Sequence, residues 1–201
     1  MRVASPCLPG RGPAVSALLV STATVALAEI GDKTQLLALL LAARYRRPGP
    51  IIAGILFATV ANHALAAWLG HWISTLVSPQ AMRWLVAASF AAVALWTLRP
   101  DRLDGDDAPR SNGSAFLAAL VAFFLAETGD KTQVATVLLA TRFDALVQVI
   151  LGTTLGMLVA NVPVVLLGHR FAYRLPLRAA RWTAAAVFAA LAAWVAVRGI
   201  S

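Results

Sequence analysis

The sequence predicts an all-α integral membrane protein of six transmembrane helices, arranged as two inverted three-helix repeats. Three observations lead there. The 201-residue chain is 60% hydrophobic and only 13% charged, well above the apolar share of a soluble domain. Apolar runs such as IIAGILFATVANHALAAWLGHWI, from residue 51, are long enough to cross ~30 Å of hydrocarbon, which takes roughly 20 residues. An octapeptide also recurs: AEIGDKTQ at 28–35 returns as AETGDKTQ at 126–133, each copy inside an oily stretch.

The spans fall at roughly 14–43, 51–77, 81–98, 114–141, 145–170 and 179–197. The breaks RYRRPGP, SPQ, RPDRLDGDDAPRSNGS and RLPLR carry turn and charge signals, and TRFDA is a shorter break. Trp72, Trp84, Trp96, Trp182 and Trp194 lie near span ends, where interfacial anchors sit, although ordinary packing also explains them. Pro163 is expected to kink the fifth span. At the N-terminus, Arg2, Arg11 and AVSALLVSTATV, followed by Ala26-Leu27-Ala28, imitate a signal peptide and its cleavage site. A signal peptide does not account for a second octapeptide a hundred residues on, so the first span is expected to stay in the mature protein.

The repeat extends beyond the octapeptide. A shift of 98 positions takes Glu29, Gly31, Asp32, Lys33, Thr34 and Gln35 onto Glu127, Gly129, Asp130, Lys131, Thr132 and Gln133. It also takes Gly70-His71 onto Gly168-His169, Arg83-Trp84 onto Arg181-Trp182, Phe90 onto Phe188 and Trp96 onto Trp194. Asn62 matches Asn161 with one extra residue, which leaves His63 opposite Val162. The chain divides into a first repeat at 1–98, a cytosolic linker at 99–113 and a second repeat at 114–201. Three crossings per half place the second half upside down relative to the first, the plan by which transporters build two mirrored gates around a midplane site.

The net charge of +8 is a matter of topology, not of nucleic-acid binding. The first, third and fifth connections hold Arg44, Arg46, Arg47, Arg99, Arg102, Arg110, Arg170, Arg174, Arg178 and Arg181; the other side holds Arg2, Arg11, Arg83, Arg142 and Arg198. This ten-against-five bias puts both termini outside the cell membrane. Cys7 is the single cysteine, which excludes an internal disulfide and a cysteine-based metal cluster.

Charge within a span is expensive, and ionisable groups there are functional by default. On a helix Glu29 and Asp32 share a face that Gln35 continues; Glu127, Asp130 and Gln133 repeat it. Inverted symmetry brings four carboxylates, two amides and the hydroxyls of Thr34 and Thr132 to one axis. Hard oxygen donors of this kind suit Ca²⁺, Mg²⁺ or Mn²⁺ rather than a soft metal. Four carboxylates and the two lysines Lys33 and Lys131 leave −2, which one divalent cation neutralises. Without metal, carboxylates withdrawn from water favour the protonated form, so protons and metal compete for the same oxygens. The lysines have an alternative role, pairing with Glu29 and Glu127 at i,i+4 and holding the empty site closed. Gly31 and Gly129 permit a kink or a close helix approach. Asn62 and Asn161 are candidate accessory donors, with interhelical hydrogen bonding the alternative. His63 reads as a packed histidine, and DRLDGDD lacks EF-hand spacing.

These residues leave several transport chemistries open: a cation/proton antiporter, a passive divalent cation channel, or an exporter of a small organic cation. An enzyme is disfavoured, since neither half carries an H-E-x-x-H zinc set. No G-x-x-x-x-G-K-[ST] loop is present either, so pumping draws on an ion gradient or a partner.

The two motifs, Glu29-Ile30-Gly31-Asp32-Lys33-Thr34 and Glu127-Thr128-Gly129-Asp130-Lys131-Thr132, each fit E-x-G-D-[KR]-[TS]. In this the chain resembles the Golgi and bacterial Mn²⁺/Ca²⁺ cation–proton exchangers, over essentially its whole length. The resemblance implies six spans, outward termini, a cytosolic middle loop and export of Mn²⁺ or Ca²⁺ from the cytosol against protons. It implies no permanently bound cofactor and points to a bacterial inner-membrane member, with manganese ahead of calcium. Gln35 and Gln133 lie just beyond the core motif.

Overall fold

The computed structural model describes residues 13–98, 114–143, 145–167 and 177–199. The linker 99–113, the Gly168–His169 pair and Arg2, Arg11, Arg170 and Arg174 lie outside the described residues, as do the side chains of Arg178 and Arg181. The described residues form eight helices: α1 Pro13–Glu29, α2 Lys33–Tyr45, α3 Pro48–Leu76, α4 Pro79–Thr97, α5 Ala115–Glu127, α6 Lys131–Arg142, α7 Leu146–Leu167 and α8 Leu177–Arg198. By length and composition, α3 and α7 suffice to cross a membrane, and α1 with α2, taken as one bent span, makes a third.

The first and fourth expected spans are each two helices, not one. α1 and α2 meet at 72°. The cause is local. Gly31 and Gly129 adopt φ of 83° and 79°, a left-handed geometry that ends an α-helix and that glycine alone takes without penalty. Asp32 and Asp130 follow in extended conformation and cap the next helix, each accepting from the backbone N–H two residues on. Glu29 therefore closes α1 while Lys33 opens α2, and Glu127 closes α5 while Lys131 opens α6. The single-helix stripe of Glu29, Asp32 and Gln35 does not exist, and neither does the i,i+4 pairing of Glu29 with Lys33 or Glu127 with Lys131.

The 98-residue period persists in three dimensions. Lys33, Pro48 and Pro79 start α2, α3 and α4; Lys131, Leu146 and Leu177 start α6, α7 and α8. Every buried residue of α3 up to Ala67 has a buried counterpart on α7 at the same offset: Gly54 and Gly152, Ala58 and Gly156, His63 and Asn161 among them. This corrects the expected register of α7. No residue is inserted: His63 is the counterpart of Asn161, and Asn62 that of Ala160. Matching Asn to Asn follows residue type, whereas burial follows helix geometry.

Packing between the halves is reciprocal. α1 lies along α7, α5 along α3, and α4 pairs with α8. Glycines make the first two contacts possible. A Cβ on Gly152 would sit 2.6 Å from the Leu18 carbonyl oxygen, and one on Gly54 would sit 2.6 Å from that of Phe116, the residue 98 positions after Leu18. The equivalent residues Phe90 and Phe188 stack on each other at 6.2 Å between α4 and α8. Arg83, at the start of α4, donates through Nε at 2.9 Å and through Nη2 to the Ala196 carbonyl near the end of α8, as cations do at helix C-termini. Trp72, Trp84, Trp96, Trp182 and Trp194 are all exposed. α7 continues as helix through Pro163.

Candidate cation site at two broken helices

Each break is assembled from the same residues in the same local roles. The Asp32 N–H donates to the Glu29 carbonyl at 3.0 Å, and the Asp130 N–H to the Glu127 carbonyl at 3.1 Å. The Gly31 N–H donates to Gln35 Oε1 at 2.9 Å; the Gly129 N–H donates to Gln133 Oε1 at 2.7 Å. Thr34 Oγ1 lies 2.5 Å from Glu29 Oε2 and 3.3 Å from Asp32 Oδ2. Thr132 Oγ1 lies 3.0 Å from Glu127 Oε2 and 3.4 Å from Asp130 Oδ2. The motif is thus a folding instruction as well as a donor set. Glutamate ends a helix, glycine turns the chain, aspartate caps the next helix, threonine ties the carboxylates together, and glutamine secures the glycine.

The breaks meet. One carboxylate oxygen from each of Glu29, Asp32 and Asp130 lies within 4.8 Å of the others. All four carboxylates are buried, Glu29 and Glu127 completely. Glu127 is not one of the close three. Oε1 of Glu29 and Oε1 of Glu127 accept no hydrogen bond among the described residues. A buried carboxylate oxygen with empty lone pairs is costly unless a cation or a proton takes it. Three close carboxylates, one of them Glu29 with its unpartnered Oε1, fit a hard divalent cation.

Each lysine reaches across to the other break. Lys131 of the second half pairs with Asp32 of the first, and Lys33 Nζ lies 3.8 Å from Asp130 Oδ1. Nothing in the linear sequence signals this crossing, since it depends on how the breaks face each other.

The remaining candidates are placed less uniformly. Gln35 is buried; its Oε1 is on Gly31 and its Nε2 donates to the Ala160 carbonyl at 3.1 Å. Gln133 holds Gly129 and donates through Nε2 to Asn62 Oδ1 at 3.4 Å. Positions 62 and 160 are equivalent, so each glutamine braces its break against the long helix of the opposite half. Asn62 also donates to the Phe124 carbonyl at 3.0 Å, which supplies a partner at the end of α5. Thr128, absent from the expected set, lies 3.4 Å from Asn62 Oδ1 through its hydroxyl; its counterpart Ile30 has no polar group, so the repeat gave no pointer to it. Asn161 is buried and donates to Met157, while its Oδ1 has no hydrogen-bond partner among the described residues. His63 is fully buried, and neither ring nitrogen has a hydrogen-bond partner there.

The glutamine brace carries a prediction. Gln35→Leu leaves the Gly31 N–H and the Ala160 carbonyl without their side-chain partners, at about 1–3 kcal/mol for a buried group. Thermal unfolding of the detergent-solubilised protein is expected to shift downward more for Gln35→Leu than for Gln133→Leu, because Gly129 is exposed. Equal shifts, or none at Gln35, would remove the bracing role.

Comparison with known proteins places this geometry. The family model described as "Divalent cation/proton antiporter GDT1" matches residues 17–105 and 115–201, both breaks included. The chain belongs to the GDT1 family. The twin-motif resemblance is therefore a family relationship, and the family is one of membrane transporters. A protein of Vibrio cholerae described as "Putative manganese exporter" is 55% identical over 179 residues, spanning 89% of each chain. The rice (Oryza sativa subsp. indica) GDT1-like protein 4 is 30% identical over 166 residues, 70% of this chain and 58% of its own length. Rice GDT1-like protein 3 is 27% identical over 194 residues, 83% of this chain and 69% of its own. No solved structure matches.

Proposed function

We propose that the protein is a secondary transporter that exports divalent cations from the cytosol in exchange for protons, with Mn²⁺ ahead of Ca²⁺ as cargo. The observation that carries this reading is the convergence of Glu29, Asp32 and Asp130 within 4.8 Å at two buried helix breaks. Membership of the GDT1 family and the likeness to the Vibrio protein described as a manganese exporter support it. Mn²⁺ accepts the hard oxygens of this set.

In the mechanism, Glu29, Asp32, Glu127 and Asp130 bind the cation, with Thr34 and Thr132 orienting the glutamates. Gln35, Gln133, Asn62 and Asn161 shape the breaks from the flanking helices. Protons and the cation are alternative occupants of the same oxygens. Proton loading from outside expels the metal there, and proton loss to the cytosol lets metal bind again. No permanently bound cofactor takes part, and no covalent chemistry is involved.

The membrane arrangement belongs to the same proposal. The bent pairs α1–α2 and α5–α6, with α3, α4, α7 and α8, make six crossings in two inverted repeats, 1–98 and 114–201. α4, at 19 residues, reaches about 28 Å at the helical rise, near the thickness of the hydrocarbon core. Both termini lie outside the inner membrane, and the linker 99–113 is cytosolic.

Purified protein in oriented proteoliposomes tests the reading. Mn²⁺ movement is expected to accelerate when an opposing pH gradient is imposed and to dissipate that gradient as it proceeds. A protease site placed within 101–112 is expected to be cut from the cytosolic face. Mn²⁺ flux insensitive to the gradient would make the protein a channel, and cutting from the other face would reverse the topology.

A further inference from the structure

The two lysine–aspartate contacts between the breaks are chemically identical and structurally unequal. Lys131 is sealed against Asp32, with 2% of the lysine side chain and none of the aspartate exposed. Lys33 stands 3.8 Å from Asp130 and keeps 23% of its side chain exposed. The asymmetry extends to the breaks. Gln35 is buried and Gly31 half-buried, whereas Gly129 and Thr128 are exposed and Gln133 is half-buried. The Asp, Lys, Thr and Gln are the same in both breaks, while the flanking pairs Ile30 and Thr128, and Ala160 and Asn62, differ. The exchanged arrangement, with Lys33 sealed on Asp130 and Lys131 in the more exposed contact, uses the same four motif residues.

We propose that Lys131–Asp32 and Lys33–Asp130 are alternating latches, sealed one at a time, and that exchanging the sealed one turns the carboxylate site from one gate to the other. The proposal rests on the transporter reading for its purpose, though not for its test. A sealed ion pair is hard to break on one side alone, since removing one partner strands a buried charge. A second, equivalent pair made as the first opens limits that cost. The switch then runs between two discrete packings of comparable energy, as bistable elements require. A divalent cation competes with Lys131 for Asp32, so cargo favours opening of the sealed latch.

Amide hydrogen exchange followed by mass spectrometry reads each break separately, in metal-free detergent solution with no pH gradient. Lys131→Met releases the sealed latch and favours the exchanged arrangement. Exchange is expected to rise about threefold or more at residues 29–35 and to fall at 127–133, as a population shift between two states demands. Lys33→Met weakens the exchanged arrangement more than this one, where the Lys33–Asp130 contact is long and partly exposed, and exchange at 29–35 is expected to stay level or fall. A rise at both breaks in Lys131→Met would mean local loosening and would overturn the latches. So would no change at either break, or the same pattern from both variants. If Lys131→Met does not yield folded protein, Lys131→Gln is the substitute, judged by the same opposed signs. Opposed exchange in a protein without proton-coupled transport would retain the latches and reject the antiporter reading.

Discussion

Asp32→Asn is expected to abolish divalent cation export, and Asp130→Asn to do the same. Changes to groups that merely orient metal ligands cost roughly 10–100-fold in affinity, so loss of a carboxylate donor itself is expected to exceed that range. The two variants differ in how they fail. Asp32 is sealed against Lys131, so Asp32→Asn also breaks a buried ion pair, a loss on the order of 3–5 kcal/mol. Lys33 is partly exposed beside Asp130, and water meets part of its charge in Asp130→Asn. Asp32→Asn is therefore expected to lose more thermal stability than Asp130→Asn, with transport lost in both. The double variant Asp32→Asn/Lys131→Met removes the whole pair and is expected to recover stability without recovering transport. Normal Mn²⁺ flux in both single variants would remove the aspartates from the site.

The second large effect concerns glycine and sets two physical causes against each other. At Gly54 and Gly152, an added methyl meets backbone: the Phe116 carbonyl oxygen and Leu120 nitrogen in one case, the Leu18 carbonyl oxygen in the other. Backbone atoms of a packed helix cannot rotate away, so Gly54→Ala and Gly152→Ala must push α3 off α5 and α7 off α1. Overpacking of this kind typically costs about 1–3 kcal/mol. At Gly129 the added methyl meets open space, but the backbone stands at φ of 79°, where a side chain costs roughly 1–2 kcal/mol. Gly54→Ala and Gly152→Ala are expected to cut folded yield and melting temperature sharply. Gly129→Ala is expected to remain folded but to transport poorly, because it re-aims Asp130. Thermal unfolding and Mn²⁺ flux measured on the three variants separate packing loss from site misalignment.

The helical class, the repeat and the burial of charge at Glu29, Asp32 and Asp130 were legible in the sequence because each rests on residue type at a fixed spacing. Composition reports apolar environment, and the recurrence of Glu29–Gln35 at Glu127–Gln133 reports symmetry. The breaks were less legible. Gly31 and Gly129 permit a kink but do not require one. Only with Asp32 and Asp130 acting as caps does the run read as a stop followed by a start, whereas the apolar stretches on both sides favoured one continuous span. The register of α7 was misplaced because chemical likeness, Asn62 with Asn161, outweighed helix phase; the buried faces of α3 and α7 resolve it through His63. The crossing of the lysines was not legible at all. It is a long-range contact between two breaks, and a linear reading offers Lys33 its near neighbour Glu29 before the distant Asp130.

The central claim is that a divalent cation and protons compete for Glu29, Asp32, Glu127 and Asp130. Calorimetric titration of the purified protein with Mn²⁺, in buffers of different ionisation enthalpy, counts the protons released as the metal binds. Binding that displaces protons also weakens as the pH falls, because acid favours the metal-free form. The competition account predicts release of about two protons per cation near neutral pH. It also predicts an affinity that drops from about pH 8 to about pH 6. A count near zero across that range, with affinity unchanged, would contradict it.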